Sequence, residues 1–150
     1  MELKQIYKSF QYHTQLQWTG GRQGQLSCDG KPFFQVASPP EFKGPTGVWT
    51  PEDLFIASVD ICTMTTFLAF AERKALPLVH YESAARGLLE NVEGKYQFTL
   101  VTLSPRVTVA SEEDIPKAEQ ILHDAHANCL IGNSIKTKVE VRPEFGVQKA

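Results

Sequence analysis

Cysteine is scarce in this chain: three residues in 150, at positions 28, 62 and 129. The count is odd and no pair has C-x-x-C spacing, which argues against a disulfide framework and against a structural zinc site. Reduced thiols in a cytoplasmic protein are therefore expected. Neither sign of charge is in excess. Lys and Arg total 15, Asp and Glu 17, and the net charge is −2. The basic residues are scattered, so no electrostatic footprint for nucleic acid is present. Uninterrupted hydrophobic runs are also missing. The longest apolar stretch, Leu54 to Ala71, is broken by Asp60 and several Ser and Thr residues, and reads as a buried helix, not a membrane span. Met1 to Phe10 is polar and mixed in charge, so no secretory leader is expected. Repeats, low-complexity tracts and long linkers are absent.

What remains is an ordinary globular composition, 42% hydrophobic and 21% charged, in a length that suits one domain over residues 1–150 with a real core. Residues 5–18 tend to alternate in polarity, Gly20-Gly21-Arg22 marks a turn, and Asp29-Gly30 lies between Gln25–Ser27 and Phe33–Val36 as a hairpin signal. A small antiparallel sheet is expected there. Ser38 to Val48 carries three prolines and two glycines, an unusually long loop for a compact domain. Thr50-Pro51-Glu52-Asp53 then opens a helix, with a capping residue, proline at the first position and two acids at the positive end of the dipole. That helix is expected to reach Lys74 and, being apolar on most sides, to form the central buried helix. Strands are expected over 80–90 and 96–109, turning near Asn91–Gly94. Ser111-Glu112-Glu113-Asp114 opens a second helix, carried by Ile115, Ala118, Ile121, Leu122, Ala125 and Cys129 and stopped by Gly132-Asn133. Residues 135–141 alternate as a last strand. The order implies an α+β domain with antiparallel sheet. Trp18, Phe33, Phe34, Phe42, Trp49, Phe67 and Phe70 are expected in the core, some walling an apolar pocket.

Cys62 lies in the middle of the first helix. As a structural residue it is one more small apolar group. It is too far from the helix N-terminus for the dipole to ionise it, and burial raises a thiol's pKa, so reactivity requires a cation nearby. Asp60, close in the chain, opposes a thiolate. Arg22, in the glycine turn, is the candidate cation, and Glu52 the carboxylate able to hold it in a bidentate pair. Their plain alternatives are a solvated loop arginine and a first-turn dipole partner. Glu52 and Cys62 are ten residues apart on one helix, roughly 15 Å along its axis. A site using both therefore needs Arg22 to span part of the gap, or a second chain. Cys129, at the negative end of its helix, is a poor attacking thiol but suits the resolving step. His123, His126 and Cys129 recur every three residues. A metal site there is a minor reading, since the spacing matches no strong ligand pattern. Cys28 sits in the hairpin turn as a bystander.

Four blocks together resemble the OsmC/Ohr family of peroxide-detoxifying proteins. They are Gly20-Gly21-Arg22 with Asp29-Gly30; Ser38-Pro39-Pro40-Glu41-Phe42; Thr50-Pro51-Glu52-Asp53-Leu54 leading to Cys62; and Ala125-His126-Ala127-Asn128-Cys129. The likeness runs from about residue 12 to 142. It implies an OsmC-like fold, with antiparallel sheets, a long central buried helix and a second helix, assembled as an intertwined homodimer with two interfacial sites. It implies reduction of organic hydroperoxides without metal, flavin or other cofactor. Cys62 would be the peroxidatic thiol, Cys129 the resolving thiol, and Arg22 and Glu52 the activating pair. A dithiol, lipoyl or small-molecule, would reset a Cys62–Cys129 disulfide. No nucleic acid or membrane partner is implied. Two stretches depart from the family pattern. Many members have Cys-Pro where this chain has Cys129-Leu130-Ile131, and Ser58-Val59-Asp60-Ile61 is more polar than the usual small-residue run. Those departures keep open a non-catalytic OsmC-like dimer holding an apolar ligand or partner in its cleft. A weaker alternative is a thiol hydrolase or transferase using Cys62 with a histidine base such as His126.

Overall fold

The computed structural model describes residues 7–150; the first part of the expected alternation, residues 5 and 6, lies outside them. Two compact units are present, residues up to Glu52 and residues 53–150.

In the first unit, β1 (Gln15–Gly20), β2 (Gln23–Ser27) and β3 (Phe34–Ala37) form an antiparallel sheet in that order. The Asp29-Gly30 turn joins β2 to β3, with Gly30 at φ 77° and the Lys31 N–H donating to the Cys28 carbonyl at 3.1 Å. The expected hairpin is therefore formed. The proline-rich loop is tied down by a 3₁₀ turn at Pro40–Phe42 and by a bond from the Ala37 N–H to the Trp49 carbonyl, 2.9 Å. Gly44 passes so close to Ser38 that a Cβ there would lie 1.5 Å from the Ser38 carbonyl oxygen, so no other residue fits. The aromatics of this unit correct the sequence reading. Trp18 (75% exposed), Phe33, Phe34, Phe42 and Trp49 all lie open to solvent in the single chain.

Helix α1 (Pro51–Arg73) matches its expected bounds to within a residue. It is long and apolar enough to cross a membrane by length and composition. In the second unit its Val59, Thr63, Phe67 and Ala71 form a buried stripe at four-residue spacing. That stripe meets a sheet built on the hairpin β4 (Leu78–Val92) and β5 (Lys95–Val109). The hairpin turns at Glu93-Gly94, both with positive φ, as a two-residue turn matched to strand twist requires. Val59 packs with Val101 and Leu103; Phe67 and Ala71 pack with Val107, Val109 and the second helix. A Cβ on Gly87 would lie 2.7 Å from Ile56 Cδ1, so this glycine lets α1 approach β4. Truncating Phe67, fully buried, would cost about 3–5 kcal/mol. The helix is not buried on most sides, however. Ile61 is 55% and Leu68 38% exposed.

Ser111 is bonded to the Asp114 carboxylate through both its N–H (3.2 Å) and its hydroxyl (3.0 Å). A short 3₁₀ turn, Glu112–Asp114, follows and leads into α2 (Ile115–Ala127). The helix stops earlier than expected, because the Asn128 side chain takes the Asp124 carbonyl at 2.8 Å. Cys129 therefore sits beyond the helix, in the turn that runs into a 3₁₀ segment at Gly132–Ser134. Beyond it, β6 (Lys138–Val141) and an unforeseen β7 (Glu144–Val147) both pair with β5 in parallel. The sheet is thus mixed and not antiparallel throughout. The crossover through α2 carries the chain back to the opposite end of β5, which imposes parallel pairing. Pro143 splits the returning segment into its two strands.

Candidate functional site

The middle of α1 and the turn after α2 bring Cys62 and Cys129 together. Cys129 is buried at 1% exposure and Cys62 is half-buried. Both are free thiols, near enough for each to act on the other's ionisation. The Gly132 N–H donates to Cys129 Sγ at 3.3 Å, and the hydroxyl of the fully buried Thr63 donates to the same sulfur at 3.7 Å. The Cys62 carbonyl accepts the hydroxyls of Thr66 (2.8 Å) and Thr65 (3.1 Å).

The two thiols are driven in opposite directions. Burial pushes the Cys62 thiol up, but donors from the Ile131 backbone, the Cys129 thiol, the Leu130 backbone and the Thr66 hydroxyl outweigh it and hold Cys62 below the ordinary thiol range. Burial pushes Cys129 up, opposed by the Gly132 N–H and the Thr63 hydroxyl and reinforced by the neighbouring Cys62. The Cys62 thiol therefore gives up its proton before the Cys129 thiol does. Sequence reasoning looked for a cation to do this. What the second unit supplies is a turn of backbone N–H groups at 130–132, an anion-binding arrangement that needs no side-chain charge. It also missed Thr63 and Thr66, which stand one and four positions after Cys62 on the same helix.

Asp60 does not oppose the thiolate as expected. Its carboxylate is turned to β4, where it accepts the Ser83 hydroxyl at 2.5 Å. Nearby, burial and the charge of Asp60 push the Tyr81 phenol up to about 12, with Ser83 acting the other way.

Arg22 lies in the β1–β2 turn, exposed, and donates to the Phe42 carbonyl at 3.3 Å. Glu52 is the second residue of α1, and its Oε2 is buried without a hydrogen-bond partner. Among the described residues no ion pair joins the two, because the guanidinium is turned to the 3₁₀ carbonyl instead. The histidines do not assemble a metal site: no group of three or more His, Cys, Asp or Glu side chains suited to a metal ion occurs among the described residues. His126 meets Cys129 through its carbonyl, which accepts the Cys129 N–H at 3.4 Å. The side chains of His123 and His126 line a separate groove of about 690 Å³ with Leu122, Glu140 and Phe145. Cys28 donates to the His13 carbonyl at 3.2 Å, away from the pair in sequence and in bonding.

This fold is that of a known class. Residues 44–144 match the family described as OsmC-like protein, and the chain belongs to that family. A curated relative, the uncharacterized protein YmaD of Bacillus subtilis, is 22% identical over 141 residues, spanning 91% of this chain and 94% of its own. An OsmC-like protein of unknown function from Vibrio cholerae superposes with a TM-score of 0.82 at 25% identity, covering 90% of this chain and 99% of the other. The organic hydroperoxide resistance protein OhrB of Bacillus subtilis superposes at 0.65, also 25% identical, covering 91% and 98%.

Proposed function

We propose that the protein reduces organic hydroperoxides with Cys62 and Cys129. The observation that carries this reading is the nearness of two free thiols, one held down by backbone donors and the other pushed up by burial. The Cys62 thiolate attacks one peroxide oxygen and the O–O bond breaks. Cys62 becomes a sulfenic acid, and the alkoxide takes a proton and leaves as the alcohol. Cys129 then displaces the sulfenic hydroxyl, which departs as water, and the S–S bond forms. A dithiol, lipoyl or small-molecule, returns both sulfurs to the reduced state by exchange. Similarity to proteins named for organic hydroperoxide resistance supports this reading.

Arg22 and Glu52 are proposed to assist. The buried, unpartnered oxygen of Glu52 is a costly group that calls for a donor, and a guanidinium is the donor whose geometry suits it. The working form is proposed to be a homodimer. In the single chain, Ile61 and Leu68 on α1, Leu16 and Trp18 on β1, and Phe33 are left open. The 15-residue β4 also ends its sheet with one unpaired edge. Natural proteins seldom leave so much apolar surface and strand edge uncovered.

The test is intact mass and thiol count on reduced protein after one equivalent of an alkyl hydroperoxide. Rapid loss of two thiols, with a Cys62–Cys129 crosslink by peptide mapping, is expected. Both thiols surviving prolonged exposure would remove the peroxidase reading.

A further inference from the structure

The buried hydroxyl of Thr63 has no role in the chemistry so far, yet its hydrogen bond is to a reacting atom. Thr63 is fully buried on α1, its hydroxyl donating to Cys129 Sγ at 3.7 Å. The Gly132 N–H donates to that sulfur from another direction at 3.3 Å. A thiol sulfur has few acceptor sites and one proton. With two donors on its lone pairs, the Cys129 S–H is left to point at the remaining neighbour, Cys62.

We propose that Thr63 is a positioning residue for the thiol pair, turning the Cys129 proton toward Cys62 in the reduced protein and stabilising Cys129 as a thiolate once that proton has been given up. This rests on the peroxidase reading and extends it to the source of a proton. The Cys62 thiolate attacks ROOH, the O–O bond breaks, and Cys129 supplies the proton that converts the departing alkoxide to ROH. That leaves Cys62 as a sulfenic acid and Cys129 as a thiolate bonded to the Thr63 hydroxyl and Gly132 N–H. The thiolate attacks the Cys62 sulfur, forming the S–S bond and expelling hydroxide, which leaves as water by taking up from solvent the proton that Cys62 released on ionising. Two electrons pass from the sulfur pair to the peroxide oxygens. Burial alone would make Cys129 reluctant to ionise; a donor fixed in place before the reaction offsets that without reorganisation.

Within residues 53–150 the groups acting on the two sulfurs are few. They are each other, Thr63 and Thr66 from α1, and the backbone N–H groups of 130–132. Asp60 is turned to Ser83 and the His126 side chain lines a different groove. Removing the Thr63 hydroxyl is therefore a clean perturbation.

The test uses Thr63→Val, which keeps the shape and removes the donor, and Thr63→Ser, which restores it. On reduced protein in a Cys28→Ser background, which leaves Cys62 and Cys129 as the thiols, ultraviolet thiolate absorbance is followed against pH. The later-ionising thiol should titrate higher in Thr63→Val and return in Thr63→Ser. After one equivalent of hydroperoxide, sulfenic acid trapped by a dimedone probe should appear more slowly and persist about tenfold longer in Thr63→Val. If Thr63→Val does not fold, Thr63→Ala carries the same expectations. Unchanged titration together with an unchanged sulfenic lifetime would overturn the role of Thr63. Absence of sulfenic acid in the wild type would instead overturn the peroxidase reading, and the titration would still decide whether Thr63 sets the Cys129 proton.

Discussion

Against burial, which pushes the Cys62 thiol up, the backbone N–H of Leu130 is one of the groups that hold it below the ordinary thiol range. A proline at position 130 would remove that donor, since proline has no N–H. Leu130 therefore contributes a stabilising group to the Cys62 thiolate. Leu130→Pro should raise the Cys62 pKa. The pH dependence of Cys62 alkylation in reduced protein measures this. Leu130 is itself exposed, so little packing is lost. An alkylation profile identical to the wild type would show that the Leu130 N–H contributes nothing.

The opposed shifts of the two thiols predict an order of reactivity. With limiting iodoacetamide near neutral pH, Cys62 should be labelled well before Cys129, since the thiolate is the nucleophile. Cys62 reactivity should persist below the ordinary thiol range and fall only as pH drops through its depressed pKa. Cys129 should react only as pH rises above the ordinary range. Cys129→Ala removes one of the donors to Cys62 and should move the Cys62 limb to higher pH. Peptide mapping with the two labelling orders reversed would contradict the assignment of thiolate and thiol.

Much of this arrangement was legible in residue order, and what was missed has identifiable causes. Helix α1 was readable because Thr50-Pro51-Glu52-Asp53 states its start and the apolar run its length. The hairpin at Asp29-Gly30 was readable because positive φ favours glycine, whereas the second turn could be placed only near Asn91–Gly94, since Glu93 takes positive φ without being a residue that favours it. The end of α2 was misjudged by trusting Gly132 as the stop, when Asn128 caps the helix first through its own side chain. The parallel pairing of β6 and β7 depends on where the crossover deposits the chain, which no local pattern encodes. Cys62 and Cys129 were readable as candidates by type and surroundings. The donors that separate them were not, because backbone N–H groups carry no sequence signal. Asp60 was misread because proximity in the chain is not proximity in space: residues two apart on a helix face different ways.

Arg22 and Glu52 are predicted to matter for turnover despite lying unpaired in this single chain. Arg22→Ala should slow sulfenic acid formation by about a hundredfold, the scale of losing a charged donor at a developing alkoxide. Glu52→Gln should reduce it less, since the arginine's charge remains. Single-turnover kinetics with an alkyl hydroperoxide would read both. Wild-type rates in Arg22→Ala would show that the backbone donors suffice and that Arg22 is a solvated turn residue.

A dimer built over the exposed face of α1 should be sensitive to charge there. Ile61 is 55% exposed and stands one residue before Cys62. Placing a lysine at 61 costs little in a solvated monomer and much in an apolar interface. Sedimentation velocity is expected to give a dimer for the wild type and a shift toward monomer for Ile61→Lys, with peroxide turnover falling alongside. A wild-type protein that sediments as a monomer at all accessible concentrations would remove the dimer from the proposal.

The Tyr81 phenol, pushed up to about 12 by burial and by Asp60, links stability to alkaline pH. Its ordinary value is 10.0. Between these two values the unfolded chain has lost the proton while the folded one keeps it. The unfolded state then binds fewer protons, so stability falls as pH rises through that window. Below 10 both states are protonated and no dependence on this group exists. Tyr81→Phe removes the group and with it this part of the decline. It also removes a phenol from beside the Asp60–Ser83 bond, so its absolute stability is a separate quantity. Urea midpoints at pH about 9 and about 11.5 isolate the linkage. The wild type should lose more stability between them than Tyr81→Phe does. Equal losses in the two proteins would mean that Tyr81 ionises as readily in the folded state as in the unfolded one.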